Sequence, residues 1–400
     1  MGLPFALLQS GYAGLVLLVV SAWVCNHTGK TLVACLYEDE QRWVRVRHSY
    51  QDVMEVCFRK LCPNWVRMGG MMVIVAQVIE LVMTCSAYLL VSTGLLLDSL
   101  SGVAAPRSVC LLVSLMCVLP CLLLTGLRPV STLSLLCSLA HALISLLVIL
   151  FCLSRANHWS LSALSVSVKP EDFLVSVGVI IFSYTSQIFL PPLEGSMEDR
   201  GHFNGMLGWT HGVACMTKTM FSLTAVLTWG PQTKEFITDN LPSNLRPVVN
   251  LCLLAKALMS FPLPFYSAAT ILQSCVFRGE LLLSEFQLMK SQVLNMFSLL
   301  MGLTGSVTGA ALTLILPCLF HLTLRWKQLT VRERLIDAAI LSFGVICSVS
   351  GVIFSSLWEG LEERMDKRYC RNTPELNKHP LKRHFLILIR NSYSTQITTS

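Results

Sequence analysis

Ser183, Tyr184, Thr185, Ser186 and Gln187 place five hydrogen-bonding side chains in a row at the end of an apolar run, and Pro191-Pro192 follows them. The run before them, from Phe173 to Ile181, is apolar enough to have entered a bilayer. Unpaired backbone polar groups are very costly in hydrocarbon, so a helix interrupted at that depth must be buried in protein or line a wet cavity. Freed carbonyls and amides beside short hydroxyl side chains suit a small zwitterion, as in transporters whose helices break near the membrane midplane. The alternative is a proline kink with Ser and Thr bonded back to the preceding turn. The spacing predicts a break between about Ser183 and Pro192, turned to the protein interior.

Other ionisable residues stand in apolar surroundings. Glu80, between Ile79 and Leu81, is mid-span. A carboxylate there is either a proton carrier or half of a structural pair with a buried cation, Lys218 or Lys256. His141 and His211 are mid-span candidates for proton relay or hydrogen-bonded core histidines. Glu194 follows the double proline and is placed to cap or gate that helix. Asn26-His27-Thr28 matches a glycan acceptor pattern but lies inside a long hydrophobic region, and is read as a chance match. No nucleophile–base arrangement, metal cluster or phosphate loop stands out, so neither an enzyme nor a bound cofactor is expected.

These residues sit in a chain that is 54% hydrophobic and 13% charged, with mean hydropathy +0.63. A soluble domain is roughly 25% charged. The chain therefore reads as an all-α polytopic membrane protein whose partner is the lipid bilayer. The net charge of +7 acts through its placement in loops and does not point to nucleic acid. The sixteen Cys fall mostly inside apolar runs, where Cys behaves as a small hydrophobe. No cleavable signal peptide is visible.

Spans of about 20 apolar residues are expected at 14–36, 71–97, 109–127, 132–153, 173–193, 206–229, 248–276, 306–324 and 335–357. Residues 1–9 make half a span, and 281–300 is apolar but carries Glu285 and Lys290. Arg42, Arg45, Arg47, Arg59, Lys60 and Arg67 mark the loop 37–67 as cytosolic, and Arg325, Lys327, Arg332 and Arg334 mark 325–334 likewise. Keeping both on one side requires a crossing in the irregular region 277–300. Within the first loop, Tyr50, Val53, Met54, Cys57 and Leu61 share one helical face, which predicts a helix lying at the interface. The transmembrane domain is expected over 1–358 and a polar, basic tail over 359–400.

Taken together, the segments resemble the amino acid/auxin permease family, in its branch of vesicular carriers for inhibitory amino acids. The resemblance rests on Gly2-Leu-Pro-Phe-Ala, Tyr12-Ala-Gly-Leu, Thr28-Gly-Lys, Ala76 to Cys85, Phe182 to Leu190, Leu193-Glu-Gly, Ile237 to Pro242, Phe261-Pro-Leu-Pro-Phe, Leu300 to Gly305 and Ile346 to Gly351. It covers most of residues 2–358. It implies a LeuT-type fold of inverted repeats with about 9–11 transmembrane helices, in which the first helix is incomplete and helix nine is altered. On that reading Gly2, Leu3 and Pro4 supply the unwound backbone of helix one, and Tyr184, Thr185 and Ser186 complete the substrate site. Lys256 either holds the place of a sodium ion in sodium-driven relatives or snorkels to an interface. The implied activity is proton-coupled antiport of GABA and glycine into synaptic or secretory vesicles. The alternatives are a transport-inactive or regulatory membrane paralogue, and a vacuolar or lysosomal-type carrier of neutral amino acids.

Overall fold

A computed structural model describes residues 2–38, 45–99, 107–122, 127–159, 170–277 and 307–372. It divides into two compact units, Met1–Gly351 and Val352–Ser400. Among the described residues the regular structure is helical, apart from one isolated antiparallel bridge between Tyr37 and Arg45.

The first helix, α1 (Leu3–Ala34), is two segments joined at Gly11, whose φ of 57° lies in the left-handed region. The segment after the joint is long enough to span, and the one before it is half a span, as the hydropathy implied. Gly2, Leu3 and Pro4 do not form unwound backbone. Gly2 is already near helical geometry (φ −80°, ψ −7°), and its carbonyl accepts from the Ala6 N–H. Pro4 sits in the first turn, where a missing N–H removes no helical hydrogen bond.

The helix α2 (Tyr50–Leu61) opens on a capping box in which the Ser49 hydroxyl and the Asp52 carboxylate bond each other's backbone N–H. Its apolar face turns to the protein, which corrects the interfacial reading. Tyr50, Val53, Met54 and Cys57 are buried against α3 (Val66–Ser99) and the later helix α11 (Val307–Arg325), and Leu61 alone of the five is exposed. The Tyr50 hydroxyl donates to the Leu312 carbonyl at 2.7 Å, and its ring meets Phe320 edge-on.

The helices α4 (Arg107–Leu122), α5 (Leu127–Ser154), α6 (Pro170–Phe182), α7 (Leu190–Ser196) and α8 (Phe203–Trp229) follow. The apolar run 248–276 is two helices, α9 (Arg246–Ser260) and α10 (Pro262–Phe277), meeting at Phe261. Pro262 and Pro264 explain the division, since each lacks the N–H that would continue the ladder. The helix α11 (Val307–Arg325) contains a π-helical turn at Ala311–Ile315, and α12 (Val331–Asn372) is last. Within the first unit α1 packs between α6 and α8, while α3 packs against α9, α10 and α4. Seven helical segments among the described residues are long and apolar enough to cross a membrane. The chain is thus an all-α polytopic membrane protein. In the second unit the helix continues to Asn372, where the sequence turns polar; the expectations for 278–300 and 373–400 lie outside the described residues.

The loop 37–67 supplies a test of sidedness. Cys62 is exposed at the end of α2, whereas Cys57 is buried and burial pushes its thiol up to about 12. In sealed vesicles with the cytosolic face outward, a membrane-impermeant maleimide should label Cys62 and spare Cys57. Protection of Cys62 until the membrane is permeabilised would reverse the assigned topology.

Candidate functional site

The interruption after α6 is real and is satisfied from outside its own helix. The chain leaves helical geometry after Phe182 and passes through a turn at Ser183-Tyr184 and the irregular residues Thr185-Ser186. A short 3₁₀ turn (Gln187–Phe189) then leads into α7 at Leu190. The break therefore ends before Pro191-Pro192 rather than at them. Both prolines occupy the first turn of α7, where the orphan N–H groups would have had no helical partner.

Two side chains hold the break. Gln187 is fully buried. Its amide donates to the Cys25 carbonyl at 3.2 Å and the Thr28 hydroxyl at 3.0 Å, and its oxygen accepts from the Ser186 N–H at 2.9 Å. The break is thereby tied to one turn of α1. From α8, the Lys218 ammonium donates to the freed Ser183 carbonyl and stands 3.7 Å from the centre of the Tyr184 ring. Lys218 entered the sequence reading only as a possible partner for Glu80; a lysine in an apolar helix was the available signal.

A cavity of about 430 Å³ opens beside the break. Ser183, Thr185 and Ser186 line it from the break, and Glu80 and Thr84 from α3. Ser134 and Cys137 come from α5, and Ser260 and Pro264 from the α9–α10 joint. Hydropathy shows one span over 248–276 and not this second joint, whose signal in the sequence is Phe261-Pro-Leu-Pro-Phe. The Ser186 hydroxyl is buried without a hydrogen-bond partner. Glu80 is 5% exposed and accepts from the Thr308 hydroxyl of α11 at 2.6 Å. Among the described residues it makes no ion pair, so of the two readings the structural pair with Lys218 or Lys256 does not form.

Several sequence candidates stand apart from this cavity. Tyr184 turns away, packing with Ala6, Leu18, Ala22, Cys25 and Ile180, and its hydroxyl is buried and unpartnered. Gly2, Leu3 and Pro4 are not among the lining residues; a side chain at Gly2 would meet the Glu235 carbonyl. His211 is buried, and its Nδ1–H donates to the Leu207 carbonyl of its own helix at 3.0 Å. His141 on α5 has a buried, unpartnered Nδ1, and Lys256 is half-buried on α9, one turn before Ser260.

Glu194 organises a separate cluster at the other end of α7. Its carboxylate is fully buried, accepts from the Tyr37 hydroxyl, and pairs with Arg45 at 3.2 Å and Arg200 at 3.9 Å. Burial and then the neighbouring carboxylate push the Tyr37 phenol up, so it remains a donor at physiological pH. Arg45 also donates to the Pro191 carbonyl at 2.9 Å. A side chain at position 195 would strike the Arg45 guanidinium, which is why glycine stands there. The cluster ties the half-helix after the break to the loop carrying the positive residues.

The family profile described as "Transmembrane amino acid transporter protein" matches residues 1–295 and 291–359. The chain belongs to this family. It is 45% identical over 388 residues to the vesicular inhibitory amino acid transporter of Xenopus tropicalis, covering 91% of this chain and 74% of that protein. The human protein of the same name is 45% identical, covering 91% of this chain and 73% of its own length. The vesicular GABA transporter of Caenorhabditis elegans is 35% identical over 380 residues, or 89% of this chain and 76% of that protein.

Removing one member of a buried ion pair costs about 3–5 kcal/mol, because the other charge stays buried. Arg45→Ala should therefore lower the thermal unfolding temperature in detergent, and Arg45→Ala with Glu194→Gln should recover much of the loss. If the double variant is no more stable than R45A, the pair does not hold α7.

Proposed function

We propose that the chain moves small amino acids, GABA and glycine foremost, across the membrane of acidic vesicles in exchange for protons. It acts as a carrier rather than an enzyme. Amino acid transport into vesicles follows from the family and from the relatives' own activity; the substrate identities, the proton coupling and the residue roles are our reading. The observation that carries it is a buried carboxylate, Glu80, facing the freed backbone and hydroxyls of the break across one cavity. At about 430 Å³ the cavity lies toward the small end of ligand sites, which run from about 300 to 1,000 Å³.

The chemistry of exchange follows from that placement. A buried carboxylate is stable when something neutralises it. Glu80 is met by the Thr308 hydroxyl, which supplies a hydrogen bond but no charge. Either a proton or the ammonium of an amino acid can supply the missing charge, and one excludes the other. That alternation is the elementary requirement of antiport. Thr185, Ser186 and Ser260 offer hydroxyls for the rest of the substrate, and Ser186 in particular has a hydroxyl with no other partner. Lys218 keeps the freed Ser183 carbonyl satisfied when the cavity is empty. Glu194 with Arg45, Arg200 and Tyr37 closes the cytosolic end and must separate for the substrate to enter from that side.

Glu80→Gln keeps the shape and the Thr308 contact but loses the charge. Reconstituted with an acidic lumen, this variant should lose tenfold or more of its gradient-driven GABA and glycine uptake, the scale of a lost charge-assisted contact of about 1.5–3 kcal/mol. Uptake in E80Q with unchanged rate and pH dependence would sink the assignment. Ser186→Ala should raise KM several-fold, corresponding to about 0.5–1.5 kcal/mol, with kcat little changed; an unaltered KM would place the substrate elsewhere.

A further inference from the structure

Away from the cavity, three ionisable side chains from three helices meet around one buried carboxylate. Asp337 on α12 has no exposed surface. One of its oxygens is 2.8 Å from Nε2 of His27 on α1, and the other is 2.7 Å from Nδ1 of His321 on α11. Because a carboxylate only accepts, both ring nitrogens must carry their hydrogens. That fixes the tautomers: the open nitrogens are Nδ1 of His27 and Nε2 of His321. With both rings neutral the cluster carries one buried negative charge. A proton on either open nitrogen cancels it, and a second would leave a net positive charge. Imidazole is the side chain whose charge ordinarily changes between about pH 5 and 8.

The surroundings leave the triad to itself. The same helices, with α6, also form an apolar cluster of Val24 of α1, Val177 and Ile181 of α6, Leu314 of α11 and Ile340 of α12. Among the described residues, Cys318 on α11, Cys35 just after α1 and Glu333, one turn before Asp337, lie within electrostatic reach. Arg325 and Arg47 act on Cys35 from the loops. Glu333 is exposed and caps the start of α12 through the Thr330 N–H, which marks this end of the helices as the solvent side.

The same turn of α1 serves the helix break. Cys25 and Thr28 hold Gln187, and His27 between them holds Asp337. A change of charge at the triad therefore acts on the turn that anchors the substrate-side break. We propose that His27, Asp337 and His321 form a proton-binding site at the cytosolic ends of α1, α11 and α12, separate from Glu80, whose occupancy sets the position of the α1 turn and so the ease with which the break rearranges. The site binds one proton in exchange with the cytosol. Its effect on transport rests on the carrier reading above; its protonation does not.

Trp23 supplies the probe. Its ring stacks on His27 with centroids 5.7 Å apart and planes 14° apart. A charged imidazole on an indole face is a cation–π contact and quenches the indole. The purified chain, without substrate, should show a pH-dependent fluorescence transition. That transition should be lost in Trp23→Phe and in His27→Gln, and retained in Glu80→Gln. In proteoliposomes held at a constant pH difference, H27Q and His321→Gln should flatten the dependence of uptake on cytosolic pH without raising KM. A wild-type chain with no transition assignable to Trp23, or a transition that survives in H27Q, overturns the site. A transition with the expected behaviour, together with uptake profiles unchanged in both His variants, overturns the coupling. A chain that titrates as described but carries neither GABA nor glycine refutes the carrier reading and leaves the proton site standing.

Discussion

The backbone of Ser183–Phe189 has left its helix inside a membrane protein, and every polar group it frees needs a partner that water cannot provide. Much of the first unit follows from that demand. The Ser183 carbonyl is met by Lys218, so a lysine must be carried mid-helix on α8. The Ser186 N–H is met by the Gln187 side chain, which is itself satisfied by Cys25 and Thr28, so α1 must pass within reach of the break. A break held this way is a defined structure with its own contacts rather than a loosened stretch of helix. Its cost is met by side chains on two neighbouring helices, and this is what leaves Thr185 and Ser186 free to face the cavity.

The same logic separates what the sequence disclosed from what it did not. Clustered hydroxyls in an apolar run are a local signal, and the break was legible from them. Its limits were not, because prolines were read as breakers when here they begin a helix; the same residue type divides α9 from α10. Hydropathy revealed the spans, but it cannot say which face of a helix meets protein. Thus Tyr184 was assigned to the substrate when it packs on α1, and the apolar face of α2 was assigned to lipid when it packs on α3 and α11. Glu80 was legible as a buried carboxylate, whereas its partner, Thr308, lies 228 residues away in the chain. His27 was passed over because it sits inside a failed glycan pattern, and Asp337 and His321 because neither is unusual until the helices come together.

Among the described residues, three buried carboxylates sit in three different settings. Glu194 is paired with arginines and a phenol, a closed arrangement that stabilises one conformation. Among the described residues Glu80 has a neutral hydrogen-bond donor, Thr308, and faces the cavity, which is what the proposed cation exchange rests on. Asp337 has two imidazoles within hydrogen-bond distance, the arrangement on which the proposed proton site rests. Carboxylate identity is the same in all three; the partner decides whether the group locks, binds or titrates.

Their connectivity completes the argument. Glu194 lies at the end of α7, the half-helix that begins where the break ends, and Gln187 inside the break is bound to α1. His27 on that turn of α1 is bound to Asp337, and Thr308 on α11 reaches Glu80 while His321 on the same helix reaches Asp337. The π turn at Ala311–Ile315 lies between those two α11 contacts, and such turns are frequent where helices serve function. Glu80 and Asp337 therefore share α11, and Asp337 shares a turn of α1 with the break, whereas Glu194, whose partners lie on the loops, joins them through α7. A carrier that must not open both ends at once needs that kind of shared attachment. Direct contact between the Glu194 cluster, the cavity and the Asp337 cluster would couple them more simply, but on the proposed reading it would bring their charges into one pool, where a proton and an ammonium could no longer be kept apart.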